Sequence, residues 1–424
     1  MSVDDALRHQ LAAIEATGAE ENAFFVADLS HLHLQQRRWK EHLPRVQPFY
    51  AVKCNPSPPV LRTLAALGTN FDCASKSEIQ AVLEAGVSAD RIIYANPCKQ
   101  ISHIRYAVSN GVRLMTFDNA DELRKVRRVS PDVGMVLRIL TDDSKSVCQL
   151  GLKFGAPMDR VESLLEAARD FDVKLAGVSF HVGSGCYDAA AFDDAVCRAR
   201  RVFDLAPRYG HYNMHILDVG GGFPGSDAAA VKFDTIASVL GPSLDRHFPA
   251  ESGVTLIAEP GRYYVEGAFT LAVNVIARRM VHSASSQESP SDEQAAADGS
   301  EVASRPSFMY YVNDGVYGSF NCTMFDHAVV TPHLLQRDGC FHADVSALER
   351  YECSIWGPTC DSIDRINPRC VLPELHVGDW LRYDRMGAYT ICAASRFNGF
   401  KQSHVIYVDT AGICAADLVV PTNQ

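Results

Sequence analysis

Two kinds of residue stand where they could do chemistry: single polar groups at the ends of apolar runs, and glycine-rich turns that follow such runs. Lys53 closes the apolar run FYAVK. An amine there, beside carboxylates such as Asp72 or Glu78, can have its protonation tuned for bonding to an aldehyde cofactor. A lone lysine could equally snorkel outward or sit in an ordinary ion pair. The segment DVGGGFPG at 218–225 lets backbone amides approach an anionic oxygen closely, as a phosphate requires. HVGSGC at 181–186 adds a second Gly/Ser turn, and EPGR at 259–262 adds an arginine. Glu259 would suit a pyridine nitrogen, because a carboxylate there stabilises the protonated ring and helps it withdraw electrons from a carbanion. A Glu259–Arg262 ion pair is the alternative. His181 could stack on such a ring or be a hydrogen-bonded buried histidine. Further along, WGPTCDSIDR sets Cys360 beside Asp361, and MFDH holds Asp326. Both aspartates could be turn residues, or could converge on a substrate's distal ammonium. MGAYT carries Tyr389, whose hydroxyl could reach a phosphate.

These residues need a scaffold that gathers them. Short β-rich runs recur at 48–53, 70–73, 92–95, 114–117, 135–139, 177–181, 216–219 and 255–259, with helix-like stretches such as 158–170 and 188–205 between several of them. The first of those helices carries Val161, Leu164, Leu165 and Ala168 on one face. Strand and helix therefore alternate eightfold, which predicts an α/β unit, a (β/α)8 barrel of the TIM type, over residues 28–267. An open doubly wound sheet is the main competitor. The barrel is favoured because Lys53, Asp72, Arg138, His181, the 220–222 glycines and Glu259 all fall at carboxyl ends of strands, where barrels assemble their sites. Beyond about residue 267, β-type runs dominate, at 271–277, 308–312, 350–355, 380–383 and 404–408. They predict an all-β second domain of residues 268–424 joined by 1–27, with a strand near 22–26. The Ser-, Glu-, Asp- and Ala-rich stretch 282–306 is expected to be a mobile surface loop.

A chain of 424 residues, 47% hydrophobic, is long enough for two such cores. Net charge of −11 disfavours nucleic acid and mildly favours cationic small molecules. No apolar stretch reaches the ~20 residues that span a bilayer, and the acidic, polar N-terminus does not read as a signal peptide, so no membrane partner and a cytoplasmic location are expected. The 13 cysteines, an odd count without CxxC spacing or a Cys/His ligand cluster, fit reduced thiols rather than disulfides or a metal site.

Taken in order, the blocks FYAVKCN, FDCASKSEIQ, IIYANPCKQ, LKFGA, FHVGSGC, DVGGGFPG, EPGRYYV, YYVNDGVYGSFNC, WGPTCDSIDRI and MGAYT make the sequence resemble the eukaryotic ornithine decarboxylases. These are pyridoxal-phosphate (PLP) enzymes of the alanine-racemase-like barrel class, and the resemblance runs from about residue 24 to about residue 407. It implies decarboxylation of L-ornithine to putrescine, the step that opens polyamine biosynthesis. Lys53 would bond the cofactor, with Asp72, Glu78 and Arg138 in the surrounding polar network. Glu78 has an alternative use, a helix capping box with Ser75. His181 would stack on the ring and Glu259 would bind its nitrogen. Ser184, Gly221, Gly222, Arg262 and Tyr389 would hold the phosphate, with Gly261 among the cofactor contacts. The resemblance also implies a homodimer with shared sites. Cys360 would then reach the partner subunit's site to protonate the substrate carbanion, Asp361 with Asp326 would receive the distal ammonium beside Phe325, and Lys153 would pair with Asp364 across the dimer. An antizyme is a further partner to test, at the basic stretch 124–128.

Lysine or arginine decarboxylase of the same fold is a rival reading, as is a catalytically inactive protein of the antizyme-inhibitor kind. Diaminopimelate is disfavoured because Asp361 would repel its distal carboxylate. Three departures from the family pattern bear on these expectations. Phe325 stands where tyrosine is usual, Ser362 replaces a common glycine, and the sequence ends at Gln424 without a longer degradation-promoting tail.

Overall fold

The computed structural model describes residues 1–281, 306–342 and 347–413. Short runs of β-branched and aromatic residues form strands, and the amphipathic stretches between them return the chain as helices that bury one face. After helix α1 (Val3–Thr17) and strand β1 (Phe24–Asp28) come α2 (Ser30–His42), β2 (Val46–Ala51), α3 (Pro58–Ala66), β3 (Asn70–Cys73) and α4 (Lys76–Glu84). The alternation continues through β4 (Ile92–Tyr94), α5 (Ile101–Ser109), β5 (Leu114–Phe117), α6 (Ala120–Val129) and β6 (Gly134–Arg138). Short β7 (Ser146–Cys148) precedes α7 (Val161–Asp170), β8 (Lys174–Ser179) and β9 (Ser184–Cys186). Then α8 (Ala190–Leu205), β10 (Ile216–Asp218), α9 (Phe233–His247) and β11 (Thr255–Ala258) complete the pattern.

Strands β2, β3, β4, β5, β6, β8, β10 and β11 close into a parallel barrel, while β7 and β9 pair as a small antiparallel ribbon. The open doubly wound alternative is thereby set aside. Phe49, Ile93, Val136, Ala176, Ile216 and Ile257 pack together inside the barrel. Such a plug makes the barrel a packed core, so ligands must bind at a mouth. Helix starts are set by local chemistry: the Ser75 and Asn119 side chains accept the amides of Glu78 and Glu122 at the heads of α4 and α6.

The rest of the chain runs through α10 (Arg262–Val265), β12 (Phe269–Val281), β13 (Ser307–Val312), α11 (Cys322–Phe325), β14 (Pro332–Arg337) and β15 (Cys340–Phe341). It ends in β16 (Arg350–Trp356), β17 (Arg365–Pro373), β18 (Trp380–Tyr383) and β19 (His404–Val408). These form a sheet in the order β15-β14-β18-β12-β13-β16-β17, to which β1 adds by pairing antiparallel to β12 and parallel to β19. The second unit is mostly sheet, as expected, with helices added to it. Helix α1 lays Ala6, Leu7, Leu11 and Ile14 on Phe24, Val26, Ala272, Leu335, Trp380 and Val408, so the sheet has a helical cover. Strands β14 and β17 were also not anticipated. Of the stretch expected to be a mobile loop, residues 282–305 lie outside the described residues.

Candidate active site

Ala51 at the end of β2 stands opposite Asp72 in β3. The short 3-10 turn Val52–Cys54 that follows β2 places Lys53 next to that aspartate, and its Nζ donates to Asp72 Oδ2 at 2.7 Å. Asp72 is fully buried, and its Oδ1 receives no donor. Burial works against the charge on Lys53, but the adjacent Asp72 carboxylate outweighs it and holds the amine's pKa above its ordinary range. Glu78 makes half of the capping box: its amide bonds Ser75 Oγ at 3.2 Å, while its carboxylate accepts from the Ala74 amide at 2.6 Å. Burial raises the pKa of that carboxyl, with the Ala74 bond opposing.

On the far side of the mouth, His181 Nδ1 accepts the Gly183 amide at 2.9 Å, which puts the ring proton on Nε2. Burial, with the charges of Arg138 and Lys53, holds the imidazole well below its usual pKa, so the ring is neutral. Arg138 itself lies over the Phe154 ring at 5.3 Å. The turn after β10 requires glycine. Gly220 and Gly222 have φ of 65° and 105°, and a Cβ on Gly220 would fall 2.1 Å from the Phe180 carbonyl oxygen.

Beneath this turn two carboxyls meet. Asp218 Oδ1 accepts the Gly220 amide at 2.8 Å, while its buried Oδ2 has no N–H or hydroxyl donor. Glu259 can satisfy that oxygen only by carrying a proton. Burial raises Glu259 well above the carboxylate range, and the charge of Asp218 adds to the effect. Asp218 is raised too, chiefly by burial, while the hydrogen bond with Glu259 favours its ionised form. Burial and the nearness of the two groups thus favour one proton shared by the pair.

Lys53, His181, Ser184, Gly221, Gly222, Glu259, Gly261, Arg262 and Tyr389 line one cavity with Ala51 and Phe223. Asp326 lies in the adjoining cleft, which shares Ser184 and Arg262 with it. There Asp326 Oδ2 accepts from Arg262 Nη2. The arginine thus pairs with Asp326 and not with Glu259, and Asp326 is already engaged. Tyr389, with φ of 56°, places its ring 5.3 Å from the Arg262 guanidinium.

Five expected residues lie elsewhere within the chain. Phe325 is 73% exposed and lines neither space. Cys360 is exposed, its amide bonded to Asn398 Oδ1 at 3.3 Å, and Asp361 Oδ2 accepts the Tyr317 hydroxyl at 2.5 Å. Neither Cys360 nor Asp361 lines the Lys53 cavity. Asp364 is 1% exposed, and its carboxylate takes the Val316 amide and the Thr359 amide and hydroxyl from its own chain. Lys153 instead lies over Phe154. Sequence reasoning missed Asp218 and Tyr317; the first stood in plain view at the head of DVGGG. It also missed a gathering of Asp193, Cys197 and His247, whose ligand atoms lie within 4.8 Å of one another across α8 and α9.

This set fits a phosphorylated pyridine aldehyde. The amine would meet the aldehyde, the Glu259 carboxyl the ring nitrogen, and the neutral imidazole the ring face. A glycine turn that no Cβ could share, with an arginine beside it, suits the phosphate.

Comparison with known proteins agrees. The family model described as the pyridoxal-binding domain of pyridoxal-dependent decarboxylases matches residues 29–266. Mouse ornithine decarboxylase is 54% identical over 389 residues, covering 92% of this chain and 81% of that one. Antizyme inhibitor 2 of Xenopus laevis is 54% identical over 388 residues, with the same coverage of 92% and 81%. Among solved structures, the arginine decarboxylase of Paramecium bursaria Chlorella virus superimposes with a TM-score of 0.83 at 34% identity, over 96% of this chain and 100% of that one.

Proposed function

The chain belongs to the pyridoxal-dependent decarboxylases, and on that premise we propose that it converts L-ornithine to putrescine and carbon dioxide, with pyridoxal phosphate held at the barrel mouth. The observation that carries this reading is the convergence of Lys53, Glu259 and the glycine turn in one cavity. Pyridoxal phosphate, when bound, supplies an aldehyde that bonds an amine and a ring that takes up the electron pair left by departing carbon dioxide.

The chain's residues divide the remaining work. Lys53 can bond an aldehyde only as the free amine, while Asp72, at 2.7 Å, holds the amine in place at the strand end. Glu259 can share the pair's proton with a ring nitrogen, while Asp218 holds Glu259 in place. The neutral His181 ring offers a flat apolar face without adding positive charge. Ser184, Arg262, Tyr389 and the amides of Gly221 and Gly222 are the phosphate donors. An arriving phosphate would draw Arg262 from Asp326, which frees Asp326 for a cationic substrate end.

Residues 28–267 form the cofactor-holding domain in this proposal, and 1–27 with 268–424 form the second. Two further groups are needed, an acid for the substrate's α-carbon and a second carboxylate for its distal ammonium. We assign both to Cys360 and Asp361 of a second copy, in a homodimer with two shared sites. Lysine is one methylene longer than ornithine, a difference worth only about 1–3 kcal/mol in a pocket, so slow lysine turnover is expected.

The decisive experiment is carbon dioxide release from ornithine, lysine and arginine with added pyridoxal phosphate. Fastest release from ornithine supports the proposal, and fastest release from arginine or lysine reassigns the substrate. No release from any of them would favour the antizyme-inhibitor reading, which the Xenopus relative makes the specific rival. Lys53, Asp72, Glu259, Cys360 and Asp361 argue against that reading, since an inactive binder has no use for the full set. The dimer has its own test. Lys53→Ala and Cys360→Ala proteins, each inactive, should on subunit exchange recover roughly a quarter of wild-type activity, because two-fold symmetry gathers both lesions into one site of each mixed dimer. Exchange without recovery would place both residues in one chain's site.

A cytoplasmic location and an antizyme contact at 124–128 complete the proposal. Among the described residues the cysteines are free and no helix is long and apolar enough to cross a membrane. In α6, Arg124, Lys125 and Arg127 are paired with Asp121, Glu122 and Asp172, so an acidic partner would have to exchange these pairs.

A further inference from the structure

Strands β16 and β17 are the arms of the hairpin whose tip carries Cys360 and Asp361. Across these arms Cys353 and Cys370 are register partners, with Sγ atoms 3.4 Å apart. Directly opposed residues of an antiparallel pair have Cα atoms about 4.5–5.5 Å apart, inside the roughly 4.4–6.8 Å that a disulfide bridges. Bond formation therefore needs side-chain movement and no backbone shift. The surroundings differ on the two sides. Cys353 is buried beside a hollow lined by Phe308, Met309, Trp356 and Arg365, whereas Cys370 is half-buried on β17, the edge strand, whose one neighbour among the described strands is β16. The ladder is also irregular between the cysteines and the tip, with register shifts on either side of Ile355.

We propose that Cys353 and Cys370 are an oxidation site, closed to a disulfide by a low-molecular-weight disulfide and reopened by excess thiol, which staples the hairpin beneath the Cys360–Asp361 loop. Either thiol can donate across the 3.4 Å gap. Cys370, half-buried on the edge strand, is the one a reagent reaches first and is the attacking group. Its thiolate bonds one sulfur of the reagent, the reagent's S–S bond breaks, and the departing thiolate takes the proton that Cys370 gave up. Cys353 then attacks Cys370 Sγ, releasing the second reagent thiol together with its own proton. Two protein thiols lose two electrons in all, and one reagent disulfide becomes two thiols.

The bond itself does not depend on the proposed catalytic activity; only its consequence for the Cys360 loop rests on that reading. The test equilibrates the full chain, loaded with pyridoxal phosphate, against mixtures of glutathione disulfide and glutathione, followed by acid quench, alkylation and peptide mapping. A Cys353–Cys370 cross-linked peptide, two hydrogens lighter than its reduced parts and lost in excess glutathione, is the expected result. The oxidised form should melt a few degrees higher and show slower amide exchange in β16 and at the hairpin tip. Cys353→Ser should stop at a glutathione adduct on Cys370, because the resolving thiol is gone. Mapping of the unsubstituted chain decides the matter even if that variant folds poorly. Adducts at Cys360 alone, or a cross-link seen only after heat denaturation, would overturn the proposal.

Discussion

Replacing Gly221 by alanine asks whether the turn after β10 is a cradle that must stay empty of side chain. A methyl at this position would sit 2.7 Å from His181 Nε2 and 2.9 Å from the Glu259 carbonyl oxygen. The φ of Gly221 is not in the left-handed region, so the cost comes from contact and not from the backbone conformation. A side chain such as His181 can turn away. The Glu259 carbonyl cannot, because it belongs to the strand end whose amide bonds the Gly220 carbonyl at 2.7 Å. The turn and the ring must therefore separate by some tenths of an ångström. Overpacking of this kind costs about 1–3 kcal/mol, and because His181 and the turn amides are proposed cofactor contacts, the loss should appear mainly as a roughly 5- to 150-fold weaker affinity for pyridoxal phosphate. Fluorescence titration of the cofactor-free protein measures this directly, with urea unfolding as the check on stability. Gly241→Ala is the matched control. It lies inside α9 with nothing but its chain neighbours within 4 Å of the added methyl; the Pro242 ring that follows opposes the helix gain, so stability should change by less than about 1 kcal/mol and the affinity should stay unchanged. Wild-type affinity in Gly221→Ala would refute the cradle.

Asp326→Asn should act in opposite directions on two ligands. With Arg262 released from its pair, pyridoxal phosphate and inorganic phosphate should bind several-fold tighter in calorimetry while the KM for ornithine rises; weakening of both would mean that the pair is structural. Asp361→Ala should raise the ornithine KM at least about tenfold with cofactor affinity intact, and equal loss of both would indicate misfolding. A pH effect follows from His31. Burial holds its pKa below the ordinary 6.5 despite the nearby Asp28, so below that pH the unfolded chain takes up a proton that the folded chain refuses. Stability should fall as the pH drops, and His31→Phe should make the fall shallower by as much as about 1.4 kcal/mol per pH unit. Urea unfolding near neutral pH and near pH 5.5 checks this, and identical slopes in both proteins would count against it.

The barrel was legible because each of its strands is a short apolar run with a helix-period stretch behind it, and these patterns are local. What escaped were elements that tertiary context stabilises. Helix α1 was hidden by its polar, acidic composition, although Ser2 and Asp5 form a capping box and Leu7, Leu11 and Ile14 recur at helical spacing. Strand β17 reads RINPRCVLP, and its two prolines and two arginines disguise it as a loop. Proline is tolerated there because β17 lies at the sheet edge and Pro368 falls within a register shift, between the pairs Ile355↔Asn367 and Cys353↔Cys370, where the ladder skips a bond.

The site divides along the same line. Lys53, Asp72, His181, the glycine turn and Glu259 follow consecutive or neighbouring strands, so closing the barrel is enough to bring them together, and reading the strand ends in order was enough to find them. The proton shared by Asp218 and Glu259 and the pairing of Arg262 with Asp326 depend on burial and on how distant segments pack. No spacing rule reports either one. Cys360 and Asp361 are a third case. They were recognisable as chemistry-bearing residues, and within one chain they sit on a hairpin of the other sheet, exposed and away from that chain's own cavity. A pattern within one sequence can nominate such residues, but it cannot say whose cavity they complete. In the proposed homodimer the residues lining the single-chain cavity have the cofactor contacts to make, and Cys360 and Asp361 of the second copy would bring the acid and the carboxylate for the substrate.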